Sequence, residues 1–150
     1  WRENPFFGVG SGQFTQHHVQ TAHSAFVLSG AELGPLGLLL FSGAVYYAVK
    51  ILVRMQVDLR DRPEAQEVLS FSVALLASQV ALLISAFFLS LPSHPILWIF
   101  IGLTGSLYAV AQRHAPEFKV RFGGRDLAFL IAFDFVLISF TAVYIRLKGV

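Results

Sequence analysis

"QTAHSAFVLSGAELGPLGLLLF", residues 20–41, decides the fold. His23 stands just before a long apolar run, which then carries Glu32 and Pro35 before turning purely aliphatic. The stretch reads either as an ordinary membrane helix with a polar start or as a reactive site at a bilayer surface. The helical region runs from about Thr21 to Val53. That is too long for one simple span, since about 20 apolar residues cross the hydrocarbon core. Proline removes a hydrogen bond inside a helix but suits the first residue of a new one. Gly34-Pro35 therefore divides the region into a short helix over 22–33 and a span over 35–54. An unbroken, kinked helix is the alternative.

The rest of the chain has the same character. Of its 150 residues 55% are hydrophobic and 13% charged, and the mean hydropathy is +0.66. A soluble domain carries about a quarter charged residues, so this is a bilayer composition. With no cysteine, neither a disulfide framework nor a thiolate metal site is available. The net charge of +2 and pI near 9.2 do not argue for nucleic acid, because the basic residues fall between apolar segments, where topology explains them. The chain begins at Trp1 and shows no signal-peptide pattern, so it is expected to be the C-terminal part of a longer membrane protein.

Further spans are predicted over 68–91, 96–112 and 127–145, giving an all-α polytopic membrane protein with four transmembrane helices. Residues 1–22 form a loop lying on the bilayer, with turns at Asn4-Pro5 and the glycines, and with Phe6, Phe7 and Phe14 suited to the interface. The loop after the first span holds Lys50, Arg54, Arg60 and Arg62. The loop after the third holds Arg113, Lys119, Arg121 and Arg125. Arg2, Arg146 and Lys148 fall on the other side. This eight-to-three bias places both basic loops in the cytoplasm and the His-bearing loop outside. The two tail charges fit less well, which weakens the case for the fourth span.

Several residues carry both a plain and a functional reading. The spacing of His17, His18 and His23 matches no common zinc pattern, and no Cys or nearby Asp joins them. "GVGSGQF", residues 8–14, fails as a dinucleotide fingerprint because Gln13 stands where the third glycine would fall. It reads as a flexible turn, or as a nest of N–H groups approaching a phosphate. Gly30, Gly34 and Gly37 read as a flat helix-packing side, with 30 and 34 a small-xxx-small pair. Glu32 either sits at the water interface before Pro35 or orients the site by hydrogen bonding. His23 and Glu32 are nine residues apart, half a turn out of phase, so direct contact needs the chain to bend. Asp134, inside "FLIAFDFVLIS", is an intramembrane carboxylate. It reads as functional, or as the partner of a residue on a missing helix.

The order of features resembles the bacterial O-antigen ligase and polymerase family. The resemblance rests on "NPFFGVGSGQF" at 4–14, "HSAF" at 23–26 and "ELGPLGLLLF" at 32–41, in this order before a span. It extends over about the first 110 residues; 115–150 match nothing in the family. It implies an integral inner-membrane glycosyltransferase working on the periplasmic side. Such an enzyme moves a glycan from an undecaprenyl-pyrophosphate carrier to a hydroxyl of the lipid A core, a polysaccharide or a protein, without a nucleotide sugar or required metal. His23 and Glu32 would be catalytic. Arg2, Gly8, Gly10, Gly12 and Ser24 would bind substrate. The chemistry suits these residue types: a leaving pyrophosphate needs cationic stabilisation, and a histidine of near-neutral pKa can take or orient a hydroxyl proton. The sequence departs from the family where Ser24 stands in place of the frequent Asn, and most of the family's important arginines lie upstream of Trp1. The piece is therefore expected to be inactive alone. Rival readings are a transporter or flippase for an amphiphilic substrate, which should show an internal repeat, and a structural subunit. The first finds no repeat here; the second leaves His23 and the glycine loop unexplained.

Overall fold

The computed structural model describes residues 7–13, 24–88 and 95–148, and these are all-helical apart from turns and loops. Among the described residues four helices follow in order. Helix α1 covers Ala25–Asp58, α2 covers Gln66–Phe88, α3 covers Pro95–His114 and α4 covers Gly124–Lys148. A 3-10 turn, Pro63–Ala65, leads into α2. All four are long and apolar enough to cross a membrane. Their exposed faces carry large apolar side chains such as Phe71, Ile99, Phe135 and Phe140, as lipid-facing surfaces require.

Helix α1 is broken where the sequence predicts. Gly34 has φ 72° and ψ −173°, a conformation essentially confined to glycine. It separates a first segment, 25–33, from a second, 35–58. Proline at the head of the second segment loses no needed hydrogen bond. The glycine stripe is interrupted there: the positive φ of Gly34 redirects the chain after it, so Gly37 leaves the side that Gly30 and Gly34 share. Gly37 is constrained by the same break: a Cβ there would run into the Leu33 side chain.

The other helix starts follow local rules. Arg62, held by the following proline, is extended, and Pro63 opens the 3-10 turn. At α4, the Asp126 carboxylate accepts the Gly123 N–H at 2.7 Å. This one-sided cap, in which the carboxylate of the helix's third residue reaches back to the backbone, begins the helix at Gly124, three residues ahead of the predicted start. Hydroxyls within the spans are quieted internally. Ser70, Ser78, Ser85, Ser106 and Thr141 each donate to the carbonyl four residues back, at 2.8–3.1 Å. A helix can then carry serine into lipid without an unsatisfied donor.

The chain divides into two compact units. The described residues of one lie within Trp1–Gly43, Ala86–Pro92 and Gly123–Val150. Its core is aromatic. Phe26 meets Phe41 edge-on with centroids 5.3 Å apart, stacks on Phe87 at 4.8 Å and approaches Phe133 at 6.1 Å.

The second unit contains Ala44–Ser85 and the described part of Ser93–Phe122. Its core gathers Leu52, Met55 and Leu59 from α1 and the turn after it, Val68 from α2, and Ala111, Phe118 and Val120 from α3 and the loop beyond. In α2, Gln79 donates to Thr104 Oγ1 at 2.9 Å and to the Phe100 carbonyl at 3.2 Å, joining α2 to α3. Such a membrane-buried hydrogen bond is worth about 0.6 kcal/mol on average, so it fixes register more than it adds stability.

The two basic loops belong to this unit and touch. Arg62 pairs with Glu117. Tyr47 Oη donates to the Val120 carbonyl at 2.7 Å, and Lys50 Nζ to the Arg121 carbonyl at 2.9 Å. Val120 N–H donates to Tyr108 Oη, and Gln112 to the Phe118 carbonyl, both at 3.2 Å. Loops that share these contacts leave the bilayer on the same face, as the charge bias predicts. The loop after α3 is not simply polar, because Phe118 and Val120 anchor it in the core.

Candidate functional site

The candidate site is built at the broken end of the first α1 segment. A helix leaves its last four carbonyls without intrahelical partners. Here Ala31 and Glu32 belong to that last turn, and the glycine loop supplies two donors. Val9 N–H reaches the Ala31 carbonyl at 3.0 Å, and Gly10 N–H reaches the Glu32 carbonyl at 2.9 Å. Gly8, Gly10 and Gly12 all have positive φ, at 69°, 98° and 73°. Gly8 is needed twice over, because a Cβ there would also overlap the carbonyls of Ala31 and Glu32. The loop closes on itself through Gln13 N–H to the Gly10 carbonyl at 3.2 Å.

This geometry divides the expected phosphate nest. The N–H groups of Val9 and Gly10 are engaged by helix carbonyls, so Gly8 and Gly10 shape a cap. Ser11 and Gly12 form the exposed tip. Their N–H groups meet no acceptor among the described residues and are the ones a phosphate could reach.

Of the remaining predicted residues, Glu32 is partly buried, on the turn that receives the loop. Ser24 is buried immediately ahead of the helix, and its carbonyl accepts the Leu28 N–H at 3.0 Å. Arg2, His17, His18 and His23 lie outside the described residues. The break falls at Gly34, two residues after Glu32.

Asp134 finds its partner within the chain. Ser42 Oγ donates to Asp134 Oδ2 at 3.0 Å across 92 residues, with both residues buried. The second α1 segment supplies this partner, which the sequence alone did not name. Asp134 Oδ1 is buried and has no hydrogen-bond partner among the described residues, as is also true of Ser29 Oγ in the first α1 segment. Sequence reasoning passed over Ser29 and Ser42. The only signal at either position was a lone hydroxyl in an apolar run, and serines that merely bond their own helix give the same signal.

No family model, curated protein or solved structure matches the chain.

Proposed function

We propose that this chain serves a lipid-linked glycan transferase of the O-antigen ligase and polymerase kind. One observation carries the reading: "GVGSG" and "AELGP", far apart in the motif order, come together through the Val9–Ala31 and Gly10–Glu32 hydrogen bonds at the Gly34 break. A shared structural locus is what a common motif set should produce, and it leaves the Ser11-Gly12 tip open. In this reading an acceptor hydroxyl attacks the anomeric carbon of the donor glycan. The bond from that carbon to the undecaprenyl pyrophosphate breaks, and the pyrophosphate leaves with its electron pair. His23 takes or orients the hydroxyl proton, and Glu32 holds the geometry. Arg2 and the loop tip meet the pyrophosphate charge, and Ser24 lines the acceptor side. The bacterial inner membrane, with the site on its periplasmic face, is the setting this chemistry requires, since the donor is a membrane lipid.

The test is transfer activity per mole of membrane-inserted protein, assayed in the complete protein. His23→Ala should lose about 10²–10⁴-fold, the usual range for general acid–base help, and lipid-linked donor should accumulate. His17→Ala and His18→Ala should lose much less. A cap-like structural role for His23 would instead lower protein level, by about 0.5–2 kcal/mol of stability, with specific activity intact. Near-normal specific activity in His23→Ala overturns the reading. A transporter for an amphiphilic substrate would then stand first, favoured by the buried Asp134 within a span.

A further inference from the structure

An open pocket of about 250 Å³ lies between the end of α1 and the loop after α3, in the unit that holds both basic loops. It lies below the usual 300–1,000 Å³ of sites that enclose a whole drug-sized ligand, so a small group fits it better than a glycan. Its lining includes Arg54, Arg62 and Lys119 as cations, Asp58 and Glu117 as anions, and the buried Phe118. Arg54 pairs with Asp58 at 2.7 Å, and Arg62 pairs with Glu117. A hydrogen bond from its own backbone N–H, with Arg62 adding to it, holds the Glu117 carboxyl below its ordinary range, so it is ionised at neutral pH. Lys119 is exposed and has no ion-pair partner among the described residues. The pocket therefore carries one unbalanced positive charge.

Location narrows the ligand. Arg54 follows Leu52 and Val53, where the apolar run of α1 ends, so the pocket opens at the level of the headgroups. Each guanidinium has five donors, and its carboxylate leaves several of them unused. The carboxylates hold the guanidinium planes in place and disfavour a ligand with more than one negative charge. A phosphodiester carries a single negative charge. Basic pockets between membrane helices are known headgroup sites on physical grounds.

We propose that this pocket binds the phosphodiester headgroup of an anionic membrane phospholipid, with Arg54, Arg62 and Lys119 donating to the phosphate. The experiment uses the full chain in neutral detergent. Short-chain phosphatidylglycerol, short-chain phosphatidylcholine and inorganic phosphate are titrated separately, and bound lipid is counted by native mass spectrometry. One phosphatidylglycerol per chain should be retained in preference to phosphatidylcholine. Lys119→Gln should weaken that binding about tenfold, the loss expected for one hydrogen bond to a charged group. Arg113→Gln, outside the pocket, should leave it unchanged. Arg54→Gln and Arg62→Gln should weaken it further; if either fails to fold, Lys119→Gln carries the test, since Lys119 holds no ion pair among the described residues. Equal retention of phosphatidylcholine overturns the proposal. Competition by inorganic phosphate as strong as that by the lipid also overturns it, and assigns the pocket to a free anion. Equal losses in Arg113→Gln and Lys119→Gln overturn it in favour of diffuse surface charge.

Discussion

Gly8 and Gly12 share a left-handed backbone but not an environment. Their φ values are 69° and 73°, yet a Cβ on Gly8 would overlap two helix carbonyls, while one on Gly12 would meet nothing within 4 Å. Gly12→Ala should therefore cost only backbone strain, about 1–2 kcal/mol. Gly8→Ala should add the loss of the docked loop and show a clearly lower unfolding midpoint in detergent. Equal losses would mean that the loop is not seated on the α1 break. The Ser42–Asp134 pair is governed by a different asymmetry. Asp134 Oδ1 is already unpartnered among the described residues, and Ser42 supplies the bond to Oδ2. Removing Ser42 alone leaves the carboxyl bare in an apolar setting, a cost of about 1–3 kcal/mol. Replacing both members by apolar groups removes the problem along with the bond. Ser42→Ala should thus be more destabilised than the double variant Ser42→Ala/Asp134→Leu in a denaturant titration. If the double variant is the worse of the two, Asp134 has a further stabilising partner.

At the scale of the element, α1 shows why Gly34 and Pro35 are not equivalent. The break sits in the backbone of Gly34, whose φ of 72° with ψ of −173° no other residue holds cheaply. Pro35 stands where its missing N–H is not needed. Gly34→Ala should therefore shift the first segment and loosen the loop, whereas Pro35→Ala should leave both in place. Hydrogen exchange at the Val9 and Gly10 amides reads this directly: faster in Gly34→Ala, unchanged in Pro35→Ala. Faster exchange in both variants would make proline the determinant. The break, the four spans and the shared face of the basic loops were legible because hydropathy, proline chemistry and charge placement act over short stretches. What lay beyond the sequence was pairing over distance. Nothing local says that Val9 and Gly10 donate to Ala31 and Glu32, or that Ser42 meets Asp134. Nor does it say that Phe118 and Val120 pull a polar loop into a core. The earlier start of α4 was legible in principle, since "GGRD" places a carboxylate three residues after Gly123, but hydropathy alone put the boundary at the first apolar residue.

For the whole molecule, the decisive property is which loops share a side of the bilayer. The charge bias predicts cytoplasmic loops after α1 and α3, and the contact of Arg62 with Glu117 joins those two loops independently of any charge count. The absolute side is a separate matter, and it bears on function, because a periplasmic donor site requires the glycine loop to lie opposite the basic loops. The chain contains no cysteine, so single cysteines can be placed without a background. The charge bias predicts Ser11 and Ser93 on one side and Glu64 and Pro116, both exposed, on the other. An impermeant thiol reagent applied to intact spheroplasts should label Ser11→Cys and Ser93→Cys, and should reach Glu64→Cys and Pro116→Cys only after lysis. Labelling of Glu64→Cys together with Ser11→Cys would break the four-span arrangement. A full inversion, with only the basic loops labelled, would preserve the helices and the shared loop face. It would place the glycine loop in the cytoplasm, where a transferase of this kind has no donor, and the proposed reaction would fall while the fold stood.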